Sequence, residues 1–508
     1  MEDLNQVLRV RREKLDALRE RGLEPFAYRF DPTHVSTAAV HAFEEAEAGA
    51  SLDENGHGEV VRVGGRLVSW RSHGKSAFAH IEDRAGSIQL YFRKNVLGDV
   101  SFEDLDLLDL GDWVGVEGPV FRTRMGEVTV QATSWTLLSK SLRPLPFGKV
   151  ETDPESGERT VHSGFADTES RYRQRYADLA VNPEVREVFR TRARIISELR
   201  AFLDAEGFLE VETPALQPLY GGASARPFVT THNALDRTMY LRIADELYLK
   251  RLVVGGLDRV YEISKDFRNE GIDRFHNPEF TMLEWYQAFA DYEDQMDLVE
   301  RMVVHVADHV LGRRTFTFGE HDLSVEPPFR RLRLVDALSE ALSSDVRKLP
   351  EDELRRRAED LSIPELAGAG RGKLIDKLFG ELVEPSLVQP TFVLDHPKEL
   401  SPLAKPKRGE PELTERFELY MAGMEIFNAF SELNDPLDQR ERFEAQARLR
   451  AEGDEEAQQI DDDYIRALEY GMPPTGGVGM GVDRFVMLLT NQSSIRDVIL
   501  FPILRADE

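Results

Sequence analysis

The chain has 508 residues, 41% hydrophobic and 31% charged, with no cysteine and a formal net charge of −28. That composition excludes a disordered chain, a disulfide framework, thiolate metal sites and a cysteine nucleophile, and makes a cytoplasmic setting the default. The acidic balance argues against wholesale nonspecific binding to nucleic acid, although a local basic surface would serve a specific one. No run of about 18 apolar residues occurs and residues 1–6 carry no apolar signal core, so no membrane association is expected.

Residues 1–57 read as an N-terminal helical extension. Leu4, Val7, Leu8, Leu15 and Leu18 form a broken apolar stripe, and Arg9, Arg11, Arg12, Lys14, Arg19 and Arg21 interleave with acids. Such a helix is either solvated or in contact with RNA phosphates. Residues 58–143 show five strand patterns, at 59–71, 76–82, 87–93, 112–121 and 127–138, with a helical stretch at 102–110. Three strands, a helix and two strands is the order of an OB-fold barrel. Alternation turns Ala77, Ala79, Ile81, Ile88, Leu90 and Phe92 inward and Phe78, His80, Gln89 and Tyr91 outward. An outward aromatic beside amide and basic groups suits unstacked bases; cover by a neighbouring loop is the alternative.

Residues 144–170, with Pro144, Pro146, Pro154 and Gly157, read as a linker. The basic run 171–176 either touches RNA at a hinge or packs between domains. Residues 171–508 form the second domain. Asn182-Pro183 opens a helix that Gly207 ends, and a strand at 208–214 follows. Between residues 260 and 289 two strand-like runs flank a polar loop. Phe280, Met282, Glu284 and Tyr286 share one face near Arg268, as a binding floor or as a solvated hairpin. A helical insertion spans about 312–388 and shows no chemical constellation. Strand, turn and strand recur from residue 416, with Asn428, Phe430 and Glu432 on one face. The glycine-rich run 475–481 precedes a helix with Arg484 near its N-terminus, where an anion is favoured; a packing turn is the alternative.

Five segments together resemble the class II aminoacyl-tRNA synthetases, and within them the bacterial lysyl type: Gly-Gly-Ala-Ser-Ala-Arg-Pro-Phe at 221–228, Arg-Asn-Glu-Gly-Ile at 268–272, His-Asn-Pro-Glu-Phe-Thr-Met at 276–282, Phe-Ser-Glu-Leu-Asn-Asp-Pro at 430–436 and Ser-Ile-Arg-Asp-Val-Ile-Leu-Phe-Pro at 494–502. The resemblance covers nearly the whole chain. It implies an α+β protein, an N-terminal OB-fold anticodon-binding barrel followed by a catalytic domain with a six-stranded antiparallel sheet flanked by helices, in a homodimer. It implies ATP-dependent formation of lysyl-adenylate, then transfer of lysine to tRNA(Lys).

By that resemblance Arg268 holds the lysine carboxylate and the α-phosphate, and Arg484 the terminal phosphates. Gly222 and Glu246 hold the α-amino group. Glu284, Tyr286, Asn428, Phe430, Glu432 and Gly479 form the rest of the lysine pocket. Glu270, His276, Asn277 and Phe280 bind ATP, with Phe280 on the adenine. Glu418 and Glu425 hold Mg2+, about three ions with ATP, and Arg71, Phe78 and Gln89 read the anticodon. Two features depart from the family: a longer linker at 147–170, and Met424 and Phe427, bulky residues beside the pocket strand. A lysine-adding protein-modification enzyme shares the catalytic motifs but lacks the barrel. A non-catalytic RNA-binding paralogue would be expected to lose the arginines or the metal acids.

Overall fold

The computed structural model describes residues 2–152, 159–162, 164–364, 366, 368–451 and 458–505. The chain divides into two compact units, Met1–Asn182 and Pro183–Glu508.

In the first unit the barrel strands are His57–His73, Ser76–Glu82, Ser87–Arg93, Trp113–Arg122, Val128–Gln131 and Ser134–Ser139. The strand expected at 127–138 is therefore two strands. Its first half pairs in parallel with Ser87–Arg93, and both halves pair with Trp113–Arg122. Closing the barrel forces this break, and Gly118 makes room for it: a Cβ there would lie 1.9 Å from the Gln131 carbonyl oxygen. Ala77, Ala79, Ile81, Ile88, Leu90 and Phe92 fill the interior, each at most 2% exposed.

The helix Glu2–Glu20 docks Leu15 and Leu18. Two of its cations, and Arg21 just past its end, are spent inside the unit. Arg11 donates to the carbonyls of Ser141 and Leu110, Lys14 pairs with Asp109 at 2.9 Å, and Arg21 pairs with Asp104. These three are not free for RNA phosphates. The basic run 171–176 is likewise internal: Arg171 and Arg175 both pair with buried Asp178, at 2.8 and 2.6 Å, and Arg173 pairs with Glu169. The linker is not featureless either, because Lys149–Thr152 and Arg159–His162 pair as a hairpin.

The second unit is built on an eight-stranded sheet in the order Arg330–Arg333, Thr391–Leu394, Arg416–Met421, Met424–Ser431, Thr475–Gly481, Glu279–Ala288, Arg259–Phe267, Leu209–Glu210. The six central strands are antiparallel, and one parallel strand extends each edge. The strand expected at 208–214 shrinks to Leu209–Glu210. Thr213 gives its backbone N–H and hydroxyl to the Glu262 carboxylate, so the chain leaves the ladder there. One sheet face packs Leu283, Trp285, Met480, Phe427 and Leu419 against the helices Pro183–Ala205, Tyr292–Val306 and Val482–Leu489. On the other face Val260, Tyr286 and Ala288 pack against the helices Glu246–Val254 and Asp462–Glu469, and the cleft takes up the rest. Within the insertion, the helices Leu334–Ala341, Glu351–Asp360 and Arg371–Leu382 share a separate core around Leu338, Leu354, Leu374 and Leu378. Among the described residues no helix is long and apolar enough to cross a membrane.

Candidate active site

The open sheet face carries a cavity of about 530 Å³, a size that suits a small ligand. Strand register builds it in rows. Glu284, Gly479, Asn428 and Glu418 face one another across four strands, and Tyr286, Gly477, Phe430 and Arg416 form the next row. Alternation leaves only glycine on the cleft side of the central strand, at 477, 479 and 481, while Val478 and Met480 enter the core. A Cβ on Gly477 would lie 1.9 Å from Glu432 Oε1 and 2.5 Å from the Tyr286 ring, so only glycine lets these groups meet. Glu425 and Asn428 are three apart and would lie on opposite faces of a regular strand. The register slips here, with Leu419 opposite Phe427 and Tyr420 opposite Glu425, so Ile426 is an extra residue. That bulge turns Glu425 into the cleft. Met424 and Phe427 point into the core and away from the pocket; Phe427 lies between Trp285 and Phe485.

One end of the cleft is lined by buried acids. The Lys250 ammonium, fully buried, touches both Glu246 and Glu432 and lies 5.9 and 5.3 Å from the ring centres of Tyr286 and Phe430. Burial works against its charge, but Glu246 and Glu432 outweigh burial and hold the ammonium protonated. Glu284 accepts from the Tyr286 hydroxyl at 3.1 Å and from the Asp245 N–H at 3.3 Å. Burial, then the charges of Asp245 and Asp266, push its carboxyl well above the usual range. Burial likewise pushes up Asp245 and Glu432, and Asp266 to about 6. Arg242, which pairs with Asp245 and Glu262 at 3.0 and 2.7 Å, anchors this acidic layer. Gly222 lines the same end.

Arg268 stands between the two ends. Its guanidinium makes no ion pair with any described residue, its Nε is buried without a hydrogen-bond partner, and its Cζ is 5.1 Å from the Phe280 ring centre. Farther along, Arg484 donates to the Glu425 carbonyl and to His276 Nε2, each at 3.0 Å. His276 Nδ1 is 2.8 Å from Asp273, so Nδ1 bears the proton. Glu270 lines the cleft, exposed. Asn277 also lines it, but its amide donates to the Glu279 carbonyl and accepts from the Ile503 N–H, so that side chain is already committed.

The two expected metal acids share this region. Burial disfavours the Glu418 anion, but Arg416 at 2.6 Å and the Tyr420 hydroxyl at 2.8 Å overcome that and hold its carboxyl low. Enclosure, then the Glu418 charge, push Glu425 up to about 7. Glu384, hydrogen-bonded to Tyr420 at 2.9 Å, is pushed up to about 7 by burial, and Asp376 lines the cleft from the insertion. Crowded carboxylates that resist ionising together are a donor set suited to a hard divalent cation.

On the barrel, Phe78 stacks on Tyr91 with ring centres 4.4 Å apart, and exposed Arg71 lies directly opposite Phe78. Gln89 donates to Glu127 at 2.6 Å and accepts from Thr129 at 2.8 Å. His80 bridges Ser69 and Glu127. Among the described residues, the aromatic ring that stacks on Phe78 is that of Tyr91.

Lys250, Gly477, Asp376 and Arg416 escaped the sequence reading. Only Lys250 left a signal, as a cation four residues after Glu246 in the helix Glu246–Val254, where Arg251 follows it.

Fold and cleft together define a class of protein. The family described as tRNA synthetases class II (D, K and N) matches residues 167–505, and an OB-fold nucleic acid binding domain matches 61–138. Relatives named lysine–tRNA ligase are 50% identical in Carboxydothermus hydrogenoformans, over 99% of each chain, and 52% identical in Pelotomaculum thermopropionicum, over 100% of this chain and 96% of that one. A third, from Moorella thermoacetica, is 52% identical over 100% and 99%. The chain belongs to the class II aminoacyl-tRNA synthetases, in the family of the lysine–tRNA ligases.

Proposed function

We propose that the chain activates lysine with ATP and transfers it to tRNA(Lys). One observation supports lysine above all: the acidic end of the cleft already holds an ammonium, that of Lys250, between Glu246, Glu432 and two aromatic rings. Glu246, Glu284 and Glu432 outnumber the one cation among them, Lys250, and burial pushes their carboxyls up. The α- and ε-ammonium groups of a bound lysine would let these acids ionise. An aspartate or asparagine side chain would meet acids there.

Arg268 then takes the lysine carboxylate and the α-phosphate together, which two anions require before they approach. The carboxylate oxygen forms a bond to the α-phosphorus as the bond to pyrophosphate breaks, and the leaving pyrophosphate keeps the electron pair. Phe280 offers a face for adenine, and Arg484, oriented by His276, reaches the terminal phosphates. Gly222 and Gly479 leave backbone against lysine, while Asn428 and Phe430 line its stem and Glu270 the ATP side. Asn277 holds the loop that presents His276. Glu418 and Glu425 would hold Mg2+, which supplies charge neutralisation on the phosphates when bound. A terminal ribose hydroxyl of tRNA next attacks the lysyl carbonyl and AMP leaves. On the barrel, Phe78 stacks on an anticodon base and Gln89 and Arg71 contact its edge or backbone. The working form is taken as a cytoplasmic homodimer, open to test by mass in solution.

The deciding assay is amino-acid-dependent ATP–pyrophosphate exchange across the proteinogenic amino acids. Lysine alone should support exchange; a better substrate would overturn the reading. Arg268→Ala should lower exchange at saturating lysine and ATP by a hundredfold or more, on the order of 3 kcal/mol of lost transition-state stabilisation, with its circular dichroism unchanged. Near-normal exchange in that variant would remove Arg268 from the chemistry.

A further inference from the structure

Two histidines and a glutamate meet at the surface of the second unit, in residues that the cleft does not use. Glu198 comes from the helix Pro183–Ala205, His305 from the helix Tyr292–Val306 and His309 from the π turn Ala307–Leu311 that continues it. One donor atom from each lies within 4.8 Å of the others. We propose that these three side chains form a zinc site that ties the two helices together.

The second contacts favour ligation. His309 Nδ1 donates to the His305 carbonyl at 2.8 Å, which leaves the Nε2 lone pair outward. His305 Nε2 is 3.0 Å from Glu198 Oε2, so a cation can stand where a proton now bridges them. The two imidazoles stack with centres 4.0 Å apart, and Phe202 lies 5.4 Å from His305 as an apolar base. Arg194 donates to the carbonyls of His309 and Val310, at 3.0 Å each, and so holds the π turn that aims His309. Asp308 is taken by Arg314 at 2.9 Å and does not compete. Tetrahedral zinc with bonds of about 2.0–2.1 Å needs ligand atoms roughly 3.3 Å apart, within reach of small rotations of half-exposed side chains. Two imidazoles and one carboxylate select zinc over magnesium and leave the fourth position to water.

The test is zinc uptake by the full-length, metal-stripped chain under saturating Mg2+, which blocks the carboxylate sites of the cleft. Wild type should take up one equivalent more than the His305→Gln/His309→Gln variant, and zinc should raise the unfolding temperature of wild type only. Glu198→Gln, a surface change that leaves both imidazoles, should weaken uptake at least tenfold and decides the matter should the double variant fail to fold. Equal uptake by wild type and variants, or none by wild type, would overturn the site.

Discussion

Lys250 sits where a reader of the sequence would put the substrate's own ammonium. Its burial between Glu246 and Glu432 makes it the counter-charge that lets two acids share one wall of the cleft. Removing one member of such a buried set costs about 3–5 kcal/mol, because the acids left behind must take up protons. Lys250→Met should therefore lower stability by that order and raise the lysine KM roughly tenfold or more, with the ATP KM unmoved. Loss of stability with both KM values unchanged would reduce Lys250 to a structural lysine. A second buried group carries a pH signature. His396 is 1% exposed, donates from Nε2 to the Val393 carbonyl, and burial pushes it down to about 4. A depressed histidine favours the fold while neutral: its contribution is full above the unfolded value near 6.5 and is lost as pH falls toward 4. Denaturant unfolding should show about 2 kcal/mol lost from this residue between roughly pH 7.5 and 5, and His396→Gln should remove that part of the slope.

The catalytic sheet works as an element with two faces. Core residues on one side and cleft residues on the other alternate along the same strands, so damage to one face should spare the other. Phe427→Ala opens a hole beside Trp285 and Phe485 and should destabilise the unit by about 3–5 kcal/mol. The lysine KM of the folded variant should stay within about twofold of wild type, because Phe427 faces away from Asn428 and Glu432. A pocket defect in that variant, read from exchange kinetics at low temperature, would contradict the two-face arrangement. The Ile426 bulge is the exception that makes the site: without it Glu425 would lie in the core.

Across the whole molecule, two units divide two tasks. Losing one base-stacking aromatic costs about 1–3 kcal/mol, so Phe78→Ala should weaken tRNA charging by roughly five- to 150-fold in kcat/KM. Lysine-dependent exchange, which needs no anticodon, should stay near wild type. A parallel fall in both reactions would mean that Phe78 supports the fold through its stack on Tyr91. No fall in either would move the anticodon off this face of the barrel.

The order of elements, the barrel, the hairpin bearing Arg268 and the alternation that collects Glu284, Tyr286, Asn428, Phe430 and Glu432 were legible in the sequence, because period-two patterning and local motifs are written residue by residue. What tertiary structure alone decided depends on distant segments meeting. The five-strand reading of the barrel became six strands because closure breaks the last one at residues 132–133. The bulge that rescues Glu425 is a matter of register between two strands. Lys14, Arg21, Arg171 and Arg175 turned inward because Asp109, Asp104 and Asp178 lie within reach once the chain folds. Lys250 is four residues from Glu246 but more than a hundred from Glu432, and burial of all three in one wall is what turns an ordinary helical lysine into part of the pocket.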